Sequence, residues 1–242
     1  MKSTHLKQGN DNEAAAPDEN REMLDRFASI AAHDLKAPLR QIDQVIAMMR
    51  EDMADRLQPD DTRHLNLIEQ RTNRLRHLVK ALLDYSCVAS APLRLARLNL
   101  GDAISEARLT LKPLIDDTGA KIEIDALPCV DADMAMAQQL FQILLLNSMN
   151  HHGEGDSPQV HIFAQHSNAG NIVFFKDNGI GIAPEIADRV FEPFAQTGEK
   201  ANADGAGMGL TIAKIIAFKH GWSLSLDPTS RDGATFQILI PD

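Results

Sequence analysis

The sequence predicts an α+β chain: an N-terminal helical hairpin that pairs with a second copy into a four-helix bundle, then an α/β sandwich whose one mixed sheet carries helices on one face. Three observations give this. Apolar residues recur at three- and four-residue steps from 19 to 57, and again after a break at 58–61. Beyond Ala91-Pro92 the texture changes to short apolar runs alternating with helical ones. Two turn-forming clusters, Asn168-Ala169-Gly170 and Ser230-Arg231-Asp232-Gly233, join runs of strand character.

Taken in order, residues 1–18 are polar, lack the apolar core of a signal peptide and are expected to be a disordered tail. The first helix carries Leu24, Phe27, Ala31, Leu35, Leu39, Ile42, Ile46, Met49 and Met53 as one seam. Gln58-Pro59-Asp60-Asp61 breaks it and supplies carboxylates for the next helix start. That helix has its own seam, Leu65, Ile68, Thr72, Leu75, Val79 and Leu82. A lone hairpin would leave much of these seams wet, so residues 19–91 are expected to form a homodimer. In the second domain, 92–242, strands are expected near 94–99, 121–126, 159–166, 171–176, 222–227 and 234–240. Helices are expected over 101–118, 133–151, 184–190 and 207–220.

Bulk composition narrows the function. The 242 residues carry a net charge of −10, which argues against a general grip on nucleic acid. Any phosphate site must therefore rely on backbone amides and a metal ion more than on bulk positive potential. No apolar run approaches the roughly 20 residues that span a bilayer. Cys87 and Cys129 lie far apart without metal-type spacing, so a reduced, cytoplasmic setting is expected.

Four segments carry candidate chemistry. His33 lies two residues from both Ala31 and Leu35, roughly opposite the apolar stripe, and is expected to face solvent. Alone it is an ordinary exposed histidine. Asp34 beside it can hold the imidazole in the tautomer that leaves one nitrogen free. Pro38 removes an amide from the helical ladder, and Lys36 and Arg40 add positive charge. Asn147 sits on the helix 133–151. Asp177-Asn178-Gly179-Ile180-Gly181 closes a strand with a glycine turn; by itself this is equally a plain hairpin or βα turn. Gly205-Ala206-Gly207-Met208-Gly209-Leu210 opens a helix, an arrangement that presents free amides to an anion and is also a frequent structural turn.

The run from Ser29 to Arg40, SIAAHDLKAPLR, resembles the H box of sensor histidine kinases, in the variant similar to phytochrome-type kinases. Together with Asn147, the two glycine turns and Phe191-Glu192-Pro193-Phe194 between them, it reproduces the order of the family's H, N, G1, F and G2 boxes. The resemblance implies a HisKA-type dimerisation and phosphotransfer hairpin followed by a Bergerat-type ATP-binding domain of the gyrase, Hsp90 and histidine-kinase class. It implies an ATP-dependent kinase that autophosphorylates His33, with Asp34 as base or orienter, and passes the phosphoryl group to a response-regulator aspartate. It also implies Asp177 reading adenine and Asn147 helping to hold Mg²⁺. The polar, glycine-bearing residues 195–204 read as a lid closing over the triphosphate, and Lys200 in it is a candidate to substitute for the lysine that the family often carries and this chain lacks. Nucleotide contacts are expected from Asn147, Asn150, His151, Asp177, Gly179, Gly181, Lys200, Gly205, Gly207, Met208, Gly209 and Leu210.

The chain departs from the family pattern at three places. Ile143 stands where kinases usually show a polar residue and where the gyrase and Hsp90 ATPases place a water-activating glutamate. Asn150 and His151 stand where lysine and tyrosine are frequent, so an ammonium is lost from the phosphates. Ala37 stands where phosphatase-competent relatives carry threonine or asparagine. These changes imply no hydrolase activity and weak dephosphorylation of the partner. They also leave open a second reading, a degenerate kinase acting as a phosphotransfer or docking module.

Overall fold

The computed structural model describes residues 16–242 apart from 55, 154, 196–205, 228 and 231, and for residues 16–29 and 31–33 it describes the backbone only. The expected tail therefore lies outside the described residues up to position 15, and helix is already present at 16–18. Helices α1 (Ala16–Asp52) and α2 (Pro59–Ser90) form the antiparallel hairpin. α1 passes through Pro38 without ending. It stops at Asp52, short of the expected 57, where Met53 and the following residues turn. At the start of α2, Asp61 accepts from the Gln58 N–H at 3.1 Å, as a reciprocal cap.

Each predicted seam splits into two stripes. Leu39 and Ile46 on α1, and Leu65, Thr72 and Val79 on α2, are buried within the hairpin. Between these layers Asp43 pairs with Arg76, and Arg50 with Glu69 at 2.8 Å. Leu35, Ile42 and Met49, with Ile68 and Leu75, form an exposed apolar stripe one step around each helix. A three-and-four spacing cannot say which neighbour each residue meets, so the sequence merges the two.

The second part holds β1 (Ala96–Asn99), α3 (Leu100–Thr110), α4 (Lys112–Thr118), β2 (Lys121–Ile124), β3 (Cys129–Ala132), α5 (Met134–Asn150), β4 (Gln159–Ser167), β5 (Gly170–Asp177), α6 (Gly209–Lys219), β6 (Ser223–Leu226) and β7 (Thr235–Ile240). The main sheet is mixed, in the order β2-β4-β5-β7-β6, with only the β2–β4 pair parallel. Its buried face presents Ile162, Val173, Phe175, Phe236 and Ile238 to the helices, and Phe141 of α5 stacks on Phe175 with ring centroids 5.5 Å apart. On the opposite face Phe163 stacks on Phe174, which leaves the helices on one side only.

Three expectations are corrected. β1 does not join the main sheet; it pairs antiparallel with β3 as a separate two-stranded sheet, and β3 was not foreseen because four residues behind Pro128 give too short an alternation. The helix expected over 101–118 breaks at Leu111, because Pro113 cannot donate an amide to α3 and instead fits the first turn of α4. Residues 184–190 form two 3₁₀ turns, Pro184–Ile186 and Arg189–Phe191, not one α-helix.

The joint between hairpin and sandwich is built from the ends of α2 and α6. The last turn of α2 has no basic residue of its own, and Lys219 at the end of α6 donates to the carbonyls of Val88, Ala89 and Ala91 at 2.9, 2.8 and 2.6 Å. Next to it, Asp133 caps α5 by accepting from the Met136 N–H at 3.1 Å, and binds the linker by accepting from the Arg94 N–H at 3.0 Å. Burial works to raise the Asp133 pKa, but the amides of Met136, Arg94 and Ala135 and the nearby His220 together hold it below the ordinary value. A depressed carboxylate contributes stability that is full above the unfolded pKa of about 4 and is lost as pH falls through the folded value. Asp133→Asn is therefore expected to flatten the loss of stability below about pH 4 in urea titrations; an unchanged acid limb would contradict this.

Candidate functional site

The site grows from the end of β5. The Asp177 N–H donates to the Ala234 carbonyl at 2.9 Å, which ties β5 to the start of β7. The side chain is buried, and its Oδ1 accepts from the N–H groups of Gly179 and Ala234, both at 2.9 Å. Its Oδ2 accepts from the Ser148 hydroxyl of α5 at 3.2 Å. Two glycines make room for this. A Cβ on Gly233 would sit 1.9 Å from the Asp177 carbonyl oxygen, and one on Gly179 would sit 2.5 Å from that of His151.

Helix α5 forms because Leu140, Phe141, Leu144, Leu145, Ser148 and Met149 place one continuous stripe in the core. Asn147 lies just off that stripe and is half-buried. The helix ends against the glycine turn: the Ile180 N–H donates to His151 O at 2.9 Å, and His152 bridges Gly179. Asn150 and His151 are exposed. Ile143 is half-buried beside α6, with its Cγ2 3.4 Å from where a Cβ on Gly209 would stand.

Among the described residues no side chain caps the N-terminus of α6, an arrangement that presents its first amides to an anion. Gly207 has φ +66°, and a Cβ there would come 2.6 Å from the Ala195 carbonyl. Phe194, just before, takes the left-handed conformation at φ 63°, a strained choice for a phenylalanine. Phe191 is buried edge-on to Phe236, with the Lys214 ammonium over its ring, so it anchors this corner from the core side. In the first turn of α6 the Thr211 hydroxyl is buried with no hydrogen-bond partner among the described residues.

The structure thus gathers Asn147, His151, Asp177, Gly179, Gly181, Gly207, Met208, Gly209 and Leu210 at the meeting of α5, β5, β7 and α6. Met208 departs from expectation in one respect: its side chain is buried in the core, so only its backbone faces the site. Asn150 stands exposed at the helix end. Lys200 and Gly205 lie outside the described residues, as does the rest of the expected lid from 196 on. His33 is on α1 with its side chain outside the described residues; Asp34, Lys36, Ala37 and Arg40 around it are exposed. Sequence reasoning missed Ser148, and it read Gly233 and Ala234 only as turn and strand. Among the described residues no group of three or more His, Cys, Asp or Glu side chains is placed to hold a metal. Asn147 offers one neutral oxygen, a donor that suits Mg²⁺, an ion that keeps several waters and borrows phosphate oxygens.

Comparison with known proteins agrees with this layout. Residues 23–90 match the His Kinase A (phospho-acceptor) domain, and residues 132–242 match the histidine kinase-, DNA gyrase B- and HSP90-like ATPases. The chain belongs to the sensor histidine kinases. It is 32% identical to cyanobacterial phytochrome A of Nostoc sp. over 90% of its own length and 28% of that protein's. It is 27% identical to the alginate biosynthesis sensor protein KinB of Pseudomonas aeruginosa, over 89% of the chain and 36% of KinB. It spans under a third of the phytochromes it matches. Among solved structures, full-length ShkA in complex with AMPPNP superposes with TM-score 0.61 at 21% identity, covering 88% of this chain and 45% of ShkA. ThkA in complex with the response regulator TrrA superposes with TM-score 0.62 at 22% identity, covering 96% of this chain and 68% of that one. At these identities the superpositions show the fold.

Gly233→Ala is expected to destabilise the protein by about 1–3 kcal/mol and to weaken nucleotide binding, since the new methyl must displace the Asp177 backbone. Thermal unfolding with and without ADP reads both; a variant matching the parent in each would contradict the packing described.

Proposed function

We propose that this protein is an ATP-dependent protein-histidine kinase that phosphorylates its own His33 and hands the phosphoryl group to a receiver-domain aspartate of a response regulator. The observation that carries the reading is the buried Asp177 carboxylate, held by three segments opposite the uncapped end of α6. One end offers an acceptor for the exocyclic amine of adenine, and the other offers amides for phosphates.

Phosphoryl transfer is mostly positioning and neutralisation of charge. In a chain of net charge −10, the α6 amides would carry that duty, and Mg²⁺ would add neutralising charge for the phosphates when bound. Asn147 would hold the ion, and Lys200 would reach the phosphates from the lid. Asp34 would orient the His33 ring. The ring nitrogen then bonds to the γ-phosphorus as the bond to the ADP oxygen breaks, and a receiver carboxylate later takes the phosphoryl group from nitrogen.

Residues 19–91 are the dimerisation and phosphotransfer domain in this reading, 92–242 the catalytic domain, and 1–18 a tail. The exposed stripe of Leu35, Ile42, Met49, Ile68 and Leu75 supports a homodimer, because a second copy covers it. ThkA was solved with a response regulator, which supports that class of partner. No helix among the described residues is long and apolar enough to cross a membrane. A cytoplasmic setting is part of the proposal and rests on the free, exposed thiols of Cys87 and Cys129.

One observation favours the second reading, a degenerate kinase that docks or relays. Ile143 puts an apolar side chain beside Gly209, at the phosphate end of the site. Incubation with labelled ATP and Mg²⁺ decides between the two. Acid-labile label is expected on the parent and absent from His33→Gln, and an unlabelled parent leaves only the second. With Ala37 exposed after the histidine, the unphosphorylated protein is expected to leave a phosphorylated receiver intact over a time course. Rapid loss of receiver phosphate would contradict that.

A further inference from the structure

Ser148 has no task in the mechanism above, yet its place is unusual. It lies in the last turn of α5, one residue after Asn147, and is 4% exposed. Serine is a poor choice inside a helix unless its hydroxyl has a use. Two acceptors are in reach: the Leu144 carbonyl and Asp177 Oδ2, both at 3.2 Å. The Leu144 carbonyl already accepts from the helix ladder, so it does not need the hydroxyl. Asp177 is different. Its Oδ1 has two amide donors, whereas the Ser148 hydroxyl is the one donor recorded on Oδ2 among the described residues.

The geometry points to Ser148 as a positioning residue for base recognition: its hydroxyl fixes Oδ2 of Asp177 so that this oxygen's remaining lone pair faces the purine and selects a 6-amino group over a 6-keto group. This rests on the reading of Asp177 as the base-contacting carboxylate. Two amides pin Oδ1 but leave the carboxylate plane to turn about its last bond. The hydroxyl removes that freedom from the α5 side, where the backbone is rigid. An adenine amine then donates to an oxygen already aimed at it. A 6-keto purine such as hypoxanthine presents an oxygen at that position, and two acceptors face each other. Loss of the hydroxyl should therefore be felt by adenine nucleotides and not by hypoxanthine nucleotides.

Calorimetric titration of the full chain with ADP and with inosine diphosphate, in magnesium buffer, tests this. Ser148→Ala suits the helix and removes only the oxygen. Its ADP affinity is expected to fall about 10-fold, the effect of one hydrogen bond to a charged group at the lower end of its range. Inosine diphosphate affinity should stay within about 2-fold, so the preference for ADP narrows. Ser148→Thr, which keeps the hydroxyl, should recover that preference. In autophosphorylation assays of Ser148→Ala the KM for ATP should rise by more than kcat falls. Equal losses for both nucleotides, or no loss for either, would overturn the proposal and leave Ser148 a packing residue. Asp177→Asn separates the two layers of the argument. If it abolishes the preference for ADP while Ser148→Ala does not touch it, only the role of Ser148 fails. If Asp177→Asn also keeps the preference, the reading of Asp177 fails first.

Discussion

A buried carboxylate must be hydrogen-bonded or it costs several kcal/mol, and the catalytic half of this protein is arranged around one. Asp177 draws its donors from the glycine turn that follows it, from the start of β7 and from the last turn of α5. Each of these segments is far from the others in sequence. Satisfying one side chain therefore fixes where β5, β7 and α5 end relative to each other. The requirement for glycine at Gly179 and Gly233 follows from the same demand, since the chain passes within contact of Asp177 and of His151. What remains of the carboxylate's capacity to accept is left to whatever enters the cleft.

A second constraint couples that cleft to the hairpin. Helix α6 begins at the uncapped end proposed to face phosphates and finishes at Lys219, which closes the carbonyls at the end of α2. Eleven residues of α-helix span about 16 Å, so a single stiff element runs from the anion site to the stalk that carries His33. The linker is held at the same joint by Asp133, which caps α5 as well. The sandwich is thus attached to the stalk through the ends of its two site-forming helices and not through a loop alone.

Much of this was legible from residues alone. The alternation of Val160 and Ile162 against His161 and Phe163, and of Val173 and Phe175 against Phe174, gives strands with one buried face. Asp177 through Gly181 and Gly207 through Gly209 stand out because glycines cluster where a strand ends or a helix starts. Ser148 gave no signal, because a serine inside a helix looks like a tolerated substitution until its partner across the fold is known. Gly233 read as a hairpin turn, and its second duty, clearance over Asp177, depends on a residue 56 positions earlier. The division of each hairpin seam into a closed and an open stripe depends on which helix lies alongside. β3 failed for a simpler reason: four residues are too few to show a period.

The central claim is that the cleft between Asn147 and Gly207 holds an adenine nucleotide, base toward Asp177 and phosphates toward α6. The most direct measurement is a crystal structure of the full chain with a non-hydrolysable ATP analogue and magnesium, backed by calorimetry. The account predicts the 6-amino group within hydrogen-bond distance of Asp177 Oδ2 and a phosphate on the amides of Gly209 and Leu210. An empty cleft in a crystal grown with saturating analogue, together with no heat of binding, would contradict it.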